Sequence, residues 1–115
     1  MRILSPNFVW RYPHRVVNIH PSLLPSFPGA AAYRQAHRAG VRVAGVTAHF
    51  VTMNLDEGPI IVQRSFQVTP HATVHDLAQR GRGLEAEALS EAVSLLVEGR
   101  LDVHWGRVEI RPRRA

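Results

Sequence analysis

Two spacings of apolar residues recur along the chain, and each predicts an element. Between Thr73 and Glu98, the residues Val74, Leu77, Gly81, Leu84, Ala88, Ala92 and Leu95 fall at steps of three and four. That is one apolar face of an α-helix. Thr73-Val74-His75-Asp76 has capping-box spacing, in which the Thr hydroxyl takes an orphan amide and the acid answers it, and Gly99 ends the helix. Gly81 and Gly83 each weaken this helix by roughly 1 kcal/mol relative to Ala, so they mark a kink or a close packing contact. Short β-branched runs predict strands at Val16 to His20, stopped by Pro21, at Val41 to Val51 and at Ile60 to Val68. Pro21 to Gly29, with prolines at 21, 25 and 28, and Thr52 to Pro59 are loops. Ala30 to Ala39 has helical composition, with Gly40 as terminator. Leu101 to His104 and Arg107 to Ile110 form a terminal hairpin around Gly106, and residues 1–15 read as irregular, broken by Pro6 and Pro13.

The order is strand, helix, strand, strand, helix, hairpin, an α/β pattern. With 115 residues the chain holds one small domain and not two. Three strands make a thin sheet for so long a helix, which predicts that they belong to a larger one.

Composition changes this picture little. The chain is 45% hydrophobic and 20% charged, as in a soluble globular protein. No apolar run approaches the roughly 18 residues of a membrane span. The amino terminus lacks the pattern of a signal peptide, so no membrane partner is expected and a cytoplasmic location is. The absence of Cys excludes disulfides, thiolate nucleophiles and Cys-based zinc sites. The net charge is +5, and all 14 basic residues are Arg. Such a surface fits an anionic partner or a bias of the source genome. The arginines are scattered, without a stripe of interleaved aromatics, which argues against nucleic acid. A polyanionic small ligand is compatible with both readings.

Several polar residues stand where chemistry would need them. Asn18 and His20 are two apart at a strand end, so their side chains share a face. In open α/β sheets, ligands sit beyond the carboxyl ends of strands, although Asn and His there can equally just cap the strand. The loop from His20 through Ser22 to Gly29 is stiffened by its prolines, and Gly29 permits a backbone turn. It suits a preorganised pocket or a structural crossover. His49 lies in the second strand and Asp56 seven residues on, in Asp56-Glu57-Gly58-Pro59. A carboxylate there could orient a histidine across a pocket and favour its protonated form, or the segment could be an ordinary surface turn. His14, His37, His71, His75 and His104 show no metal-ligand spacing, so no metal site is expected.

Taken together, Asn18-Ile19-His20-Pro21-Ser22-Leu23-Leu24-Pro25, then Gly29, and Thr47-Ala48-His49-Phe50-Val51 followed by Asp56-Glu57-Gly58-Pro59-Ile60-Ile61 resemble the folate-dependent formyltransferase superfamily. That superfamily is marked by Asn-x-His-x-Ser-x-Leu-Pro and a later Asp-x-Gly. Within it, Met1-Arg2-Ile3-Leu4-Ser5-Pro6, Thr47 to Thr52 and Leu55 to Ile61 are similar to the formyltetrahydrofolate deformylases, and the resemblance runs over nearly the whole chain.

The resemblance implies a three-layer formyltransferase-like α/β fold with a mixed sheet, of which residues 1–115 are the carboxy-terminal half. It implies hydrolysis of 10-formyltetrahydrofolate to tetrahydrofolate and formate, which feeds purine synthesis. Asn18, His20 and Asp56 would be catalytic, while His49, Ser22 and Gly29 would be accessory or substrate-binding. The folate is the substrate and partner, and no separate cofactor is implied. Formyl transfer to a ribonucleotide amine and a non-catalytic folate-binding remnant are the alternatives. The family's amino-terminal ACT-type domain and the first half of its catalytic domain have no counterpart in these 115 residues. The isolated chain is therefore expected to be inactive or nearly so. A sheet edge left uncovered is expected to make it a homo-oligomer.

Overall fold

The computed structural model describes residues 16–53 and 56–113. The irregular segment read at 1–15, the similarity at Met1–Pro6 and Leu55 lie outside the described residues. The elements are β1 (Val17–His20), α1 (Ala32–Ala39), β2 (Val43–Phe50), β3 (Ile60–Gln67), α2 (Val74–Val97), β4 (Leu101–His104) and β5 (Arg107–Ile110). This is the order the apolar spacings predict, with ends that move by one or two residues.

Each end has a local cause. The first helix starts at Ala32 rather than Ala30, because Ala31 is left-handed at φ 56° and cannot continue a right-handed helix. It stops at Gly40, φ 70°, whose N–H donates to the carbonyls of Ala36 and His37. Thr73 and Glu98 turn out to be the caps of α2. The Thr73 hydroxyl accepts from the Asp76 N–H at 3.1 Å, and the Asp76 carboxylate accepts from the Thr73 N–H at 2.9 Å. That box holds the Asp76 carboxyl below its ordinary value, chiefly through the Thr73 backbone bond.

β1, β2 and β3 form one sheet in that order, antiparallel throughout among the described residues. Val17 and Ile19 sit opposite Phe50 and Ala48. With Val46 and Val62 they pack against Ala88, Ala92 and Leu95, on the apolar face of α2. Ala36 of α1 joins Ala44, Phe66 and Leu77 on the same side. Alternation then turns Asn18, His20, Thr47 and His49 to the other face, where the proline-bearing loop covers them. A bulge at Ala48/His49 pairs His49 with Ile60 and leaves Ile61 unpaired.

Gly81 marks a close contact: a Cβ there would stand 1.7 Å from the Tyr33 hydroxyl, so α1 and α2 meet at this notch. Gly83 has nothing within 4 Å, and the helix runs unbroken through both. The β4–β5 hairpin turns at Trp105 and Gly106, φ 53° and 74°. Its Leu101, Val103 and Val108 extend the core. No described helix is long and apolar enough to cross a membrane.

Candidate active site

β1 delivers Asn18 and His20 to the loop-covered face because it ends there, and Pro21 turns the chain away. The loop is then tied to the sheet through Thr47. Its hydroxyl donates to the Ser22 carbonyl at 2.7 Å and accepts from the Leu24 N–H at 3.1 Å and from Gln63 Nε2 at 3.0 Å. Gln63 also donates to the Leu24 carbonyl at 3.0 Å. Leu23 fills the space over Gly45, where a Cβ would come within 2.6 Å of it. The loop is thus pinned immediately before its cis Leu24–Pro25 bond.

The loop that follows β2 brings Asp56 back to the same spot. His20 Nδ1 lies 3.3 Å from Asp56 Oδ1, with both side chains essentially inaccessible to solvent. The second carboxylate oxygen, Oδ2, accepts from the Gly29 N–H at 2.7 Å. His20 Nε2 is 2.9 Å from the Phe27 carbonyl oxygen. A carbonyl only accepts, so Nε2 carries a hydrogen. The Nδ1–Oδ1 contact then needs a hydrogen too, since two bare lone pairs would face each other. The pair is at ion-pair distance without the alignment of a formed hydrogen bond. Either the imidazole carries both hydrogens or the carboxyl carries one. Phe27, Ala31 and Asp56, at φ 51°, 56° and 54°, are all left-handed without being Gly. Such backbone strain gathers at sites whose surroundings hold it in place.

The sequence-derived candidates fall as follows. His20, Asp56 and Gly29 are joined directly, and Asn18 lies half-buried on the same strand face as His20. His49 is buried opposite Asn18 across the ladder. Ser22 is buried, but its hydroxyl is committed to the Ser26 carbonyl within its own loop. Among the described residues, no group of three or more His, Cys, Asp or Glu is placed to hold a metal ion.

The Phe27 carbonyl and Glu85 carried no mark in the sequence, and Thr47 stood in a motif without a role of its own. The Phe27 carbonyl and the Thr47 hydroxyl act through the fold: the loop carries the first to His20, and β2 presents the second to the loop. Glu85 lies part-buried on α2. Burial pushes its carboxyl up, while Arg82 and His20 draw it down, so it feels the charge of the site histidine. Tyr33 stands beside it, its hydroxyl buried without a partner among the described residues and pushed up by that burial and by Glu85.

A family model described as formyl transferase matches residues 1–93. The formyltetrahydrofolate deformylase of Escherichia coli (strain K12) is 44% identical over 110 residues, which is 96% of this chain and 39% of that protein. A solved glycinamide ribonucleotide transformylase 1 from Symbiobacterium toebii superposes with a TM-score of 0.93 at 47% identity, over 97% of this chain and 53% of that one. A formyltetrahydrofolate deformylase from Pseudomonas syringae pv. tomato str. DC3000 gives a TM-score of 0.94 at 38% identity, over 97% of this chain and 38% of that one. The formyltransferase-like α/β fold implied by the sequence is thereby shown. The chain spans about two-fifths of the length of the deformylases it matches.

Proposed function

The chain belongs to the formyl transferase family, and on that premise we propose that it is the carboxy-terminal part of a catalytic domain that hydrolyses 10-formyltetrahydrofolate to tetrahydrofolate and formate. The observation that carries the reading is the solvent-excluded His20–Asp56 pair at the end of a strand whose Asn18 shares the same face.

Cleaving a formamide requires water to add to the formyl carbon, an oxyanion to be held, and a proton to reach the departing nitrogen. Asn18 donates an amide N–H to the oxyanion, and donors of this kind act most strongly where water is excluded. His20 offers its Nε2–H to the same oxygen, which must share it with the Phe27 carbonyl or draw it away. Asp56 stabilises the charged imidazole and takes the proton of the attacking water. That proton then passes to the folate nitrogen as the C–N bond breaks. Gly29 fixes the carboxylate through its N–H, so Asp56 is oriented before substrate arrives.

The same group serves formyl transfer to an amine, and the likeness to the Symbiobacterium toebii transformylase favours that second reading. Formate release separates them. With 10-formyltetrahydrofolate and no amine acceptor, hydrolysis yields formate and a transferase yields none. A turnover that starts only when a ribonucleotide amine is added would overturn the deformylase reading.

A further inference from the structure

The ring of His49 is fixed from two sides and is 3% exposed. Nδ1 lies 2.9 Å from the carbonyl oxygen of Phe50, which accepts only, so Nδ1 carries the hydrogen. Gly58 closes the space beside it: a Cβ there would stand 3.3 Å from Nδ1 and 1.6 Å from that carbonyl oxygen. In the neutral ring Nε2 is then an acceptor, and it is buried with no hydrogen-bond partner among the described residues. A buried acceptor in that condition is uncommon in folded proteins and demands an explanation.

The donor that strand register places beside it is Asn18. The two residues are opposite each other in the β1–β2 ladder. The 2.8 Å bond from the Val51 N–H to the Val16 carbonyl makes 16/51, and so 18/49, pairs of the hydrogen-bonded kind, with Cα atoms about 5.5 Å apart. Both side chains rise from the same face. The Asn18 carboxamide is half-buried and makes no hydrogen bond to another described residue.

We infer that His49 is a positioning residue: its Nε2 accepts one N–H of the Asn18 carboxamide, which a turn of the Asn18 side chain brings into reach. This rests on the reading of Asn18 as the donor to the formyl oxygen. A carboxamide can present either end to a substrate. Its oxygen would repel a developing oxyanion, and its nitrogen would stabilise one. With one N–H held by His49, the second N–H points to the substrate and the amide oxygen points away. His49 touches no reacting atom.

Two measurements on the purified chain test this separately. The first is NMR of the Asn18 side-chain N–H protons in the free protein. They are expected to exchange slowly with solvent in the wild type and faster in His49→Met, while His49→Gln, which keeps an acceptor, stays near the wild type. Equal exchange in all three overturns the inference, whether or not the chain is active. The second is formate release from 10-formyltetrahydrofolate. His49→Met is expected to lower kcat about 10- to 100-fold with KM within about twofold, the mark of a misplaced group rather than lost binding, and His49→Gln to recover most of it. His49→Gln falling as far as His49→Met also overturns the inference. The chain spans about two-fifths of its deformylase relatives, so absence of formate from the wild-type chain leaves the exchange experiment to decide the role of His49.

Discussion

Replacing Asp56 separates the charge of the site from its hydrogen bonds. Asp56→Asn keeps the shape. The new amide oxygen can accept from Gly29, as Oδ2 does now at 2.7 Å, and the new N–H2 can donate to His20 Nδ1. That arrangement suits a neutral imidazole whose single hydrogen stays on Nε2, facing the Phe27 carbonyl. Asn also tolerates the left-handed backbone at φ 54°. The expected stability change is within about 1.5 kcal/mol, the range of one hydrogen bond exchanged for another. Asp56→Ala differs on every count. It leaves the Gly29 N–H unsatisfied and the His20 ring without its partner, and it puts a Cβ residue without a polar side chain at positive φ. Removing one member of a buried pair costs about 3–5 kcal/mol, a large share of the roughly 5–15 kcal/mol that stabilises a domain. In a whole catalytic domain that carries these residues, formate release is expected to fall by at least about 10²-fold in both variants, because neither retains the base. Urea unfolding followed by far-UV circular dichroism reads the stabilities through α2; Trp105 is fully exposed and reports little. Equal midpoints for the Asn and Ala variants would refute the hydrogen-bond accounting. An Asn variant with wild-type turnover would refute the role given to the carboxylate.

Glu85 sets a pH dependence whose sign follows from burial. Its folded carboxyl sits above the ordinary 4.5, so the folded chain holds that proton more tightly, and the contribution favours folding at low pH and is lost as pH rises through the raised value. Glu85→Gln is therefore expected to raise Tm more at about pH 7 than at about pH 4, and a gain that is larger at the lower pH contradicts the assignment. The two helix glycines should respond in opposite directions. Gly83→Ala meets open space and is expected to stabilise by about 0.5–1 kcal/mol, whereas Gly81→Ala drives a methyl into the Tyr33 hydroxyl and should destabilise by about 1–3 kcal/mol in the same urea assay. Thr73→Ala removes the hydroxyl cap of α2 and is expected to cost about 1 kcal/mol, seen as a lower urea midpoint with an unchanged slope.

The parts of this fold that were legible in the sequence are those that depend on near neighbours. The three-and-four spacing gave α2, and the Thr73 box marked where it starts. The two-residue step from Asn18 to His20 put both on one face before any partner strand was known. The Asp56 contacts were not legible, because the chain must fold back 27 residues to bring Gly29 to Asp56. The start of α1 at Ala32 is not legible, because Ala31 has no side-chain feature that announces a left-handed backbone. Glu85 was passed over because an acid on a helix normally faces water. Its burial comes from tertiary packing, which no spacing in the sequence records. The motifs therefore marked the family, while the hydrogen bonds that orient His20 depend on backbone carbonyls that no motif records.

The anchoring of the loop on Thr47 has a consequence for how the site comes into being. A slip of one residue between β1 and β2 would present Val46 or Ala48 in place of Thr47, and neither can bind Ser22, Leu24 and Gln63 together. The loop would then lose its hold on the sheet, and the Phe27 carbonyl and Gly29 N–H would leave His20 and Asp56. A chain paired out of register thus has no partly working pocket. Recovery of the site during refolding should coincide with completion of the correct strand pairing, with no earlier phase in which collapsed molecules bind or turn over substrate.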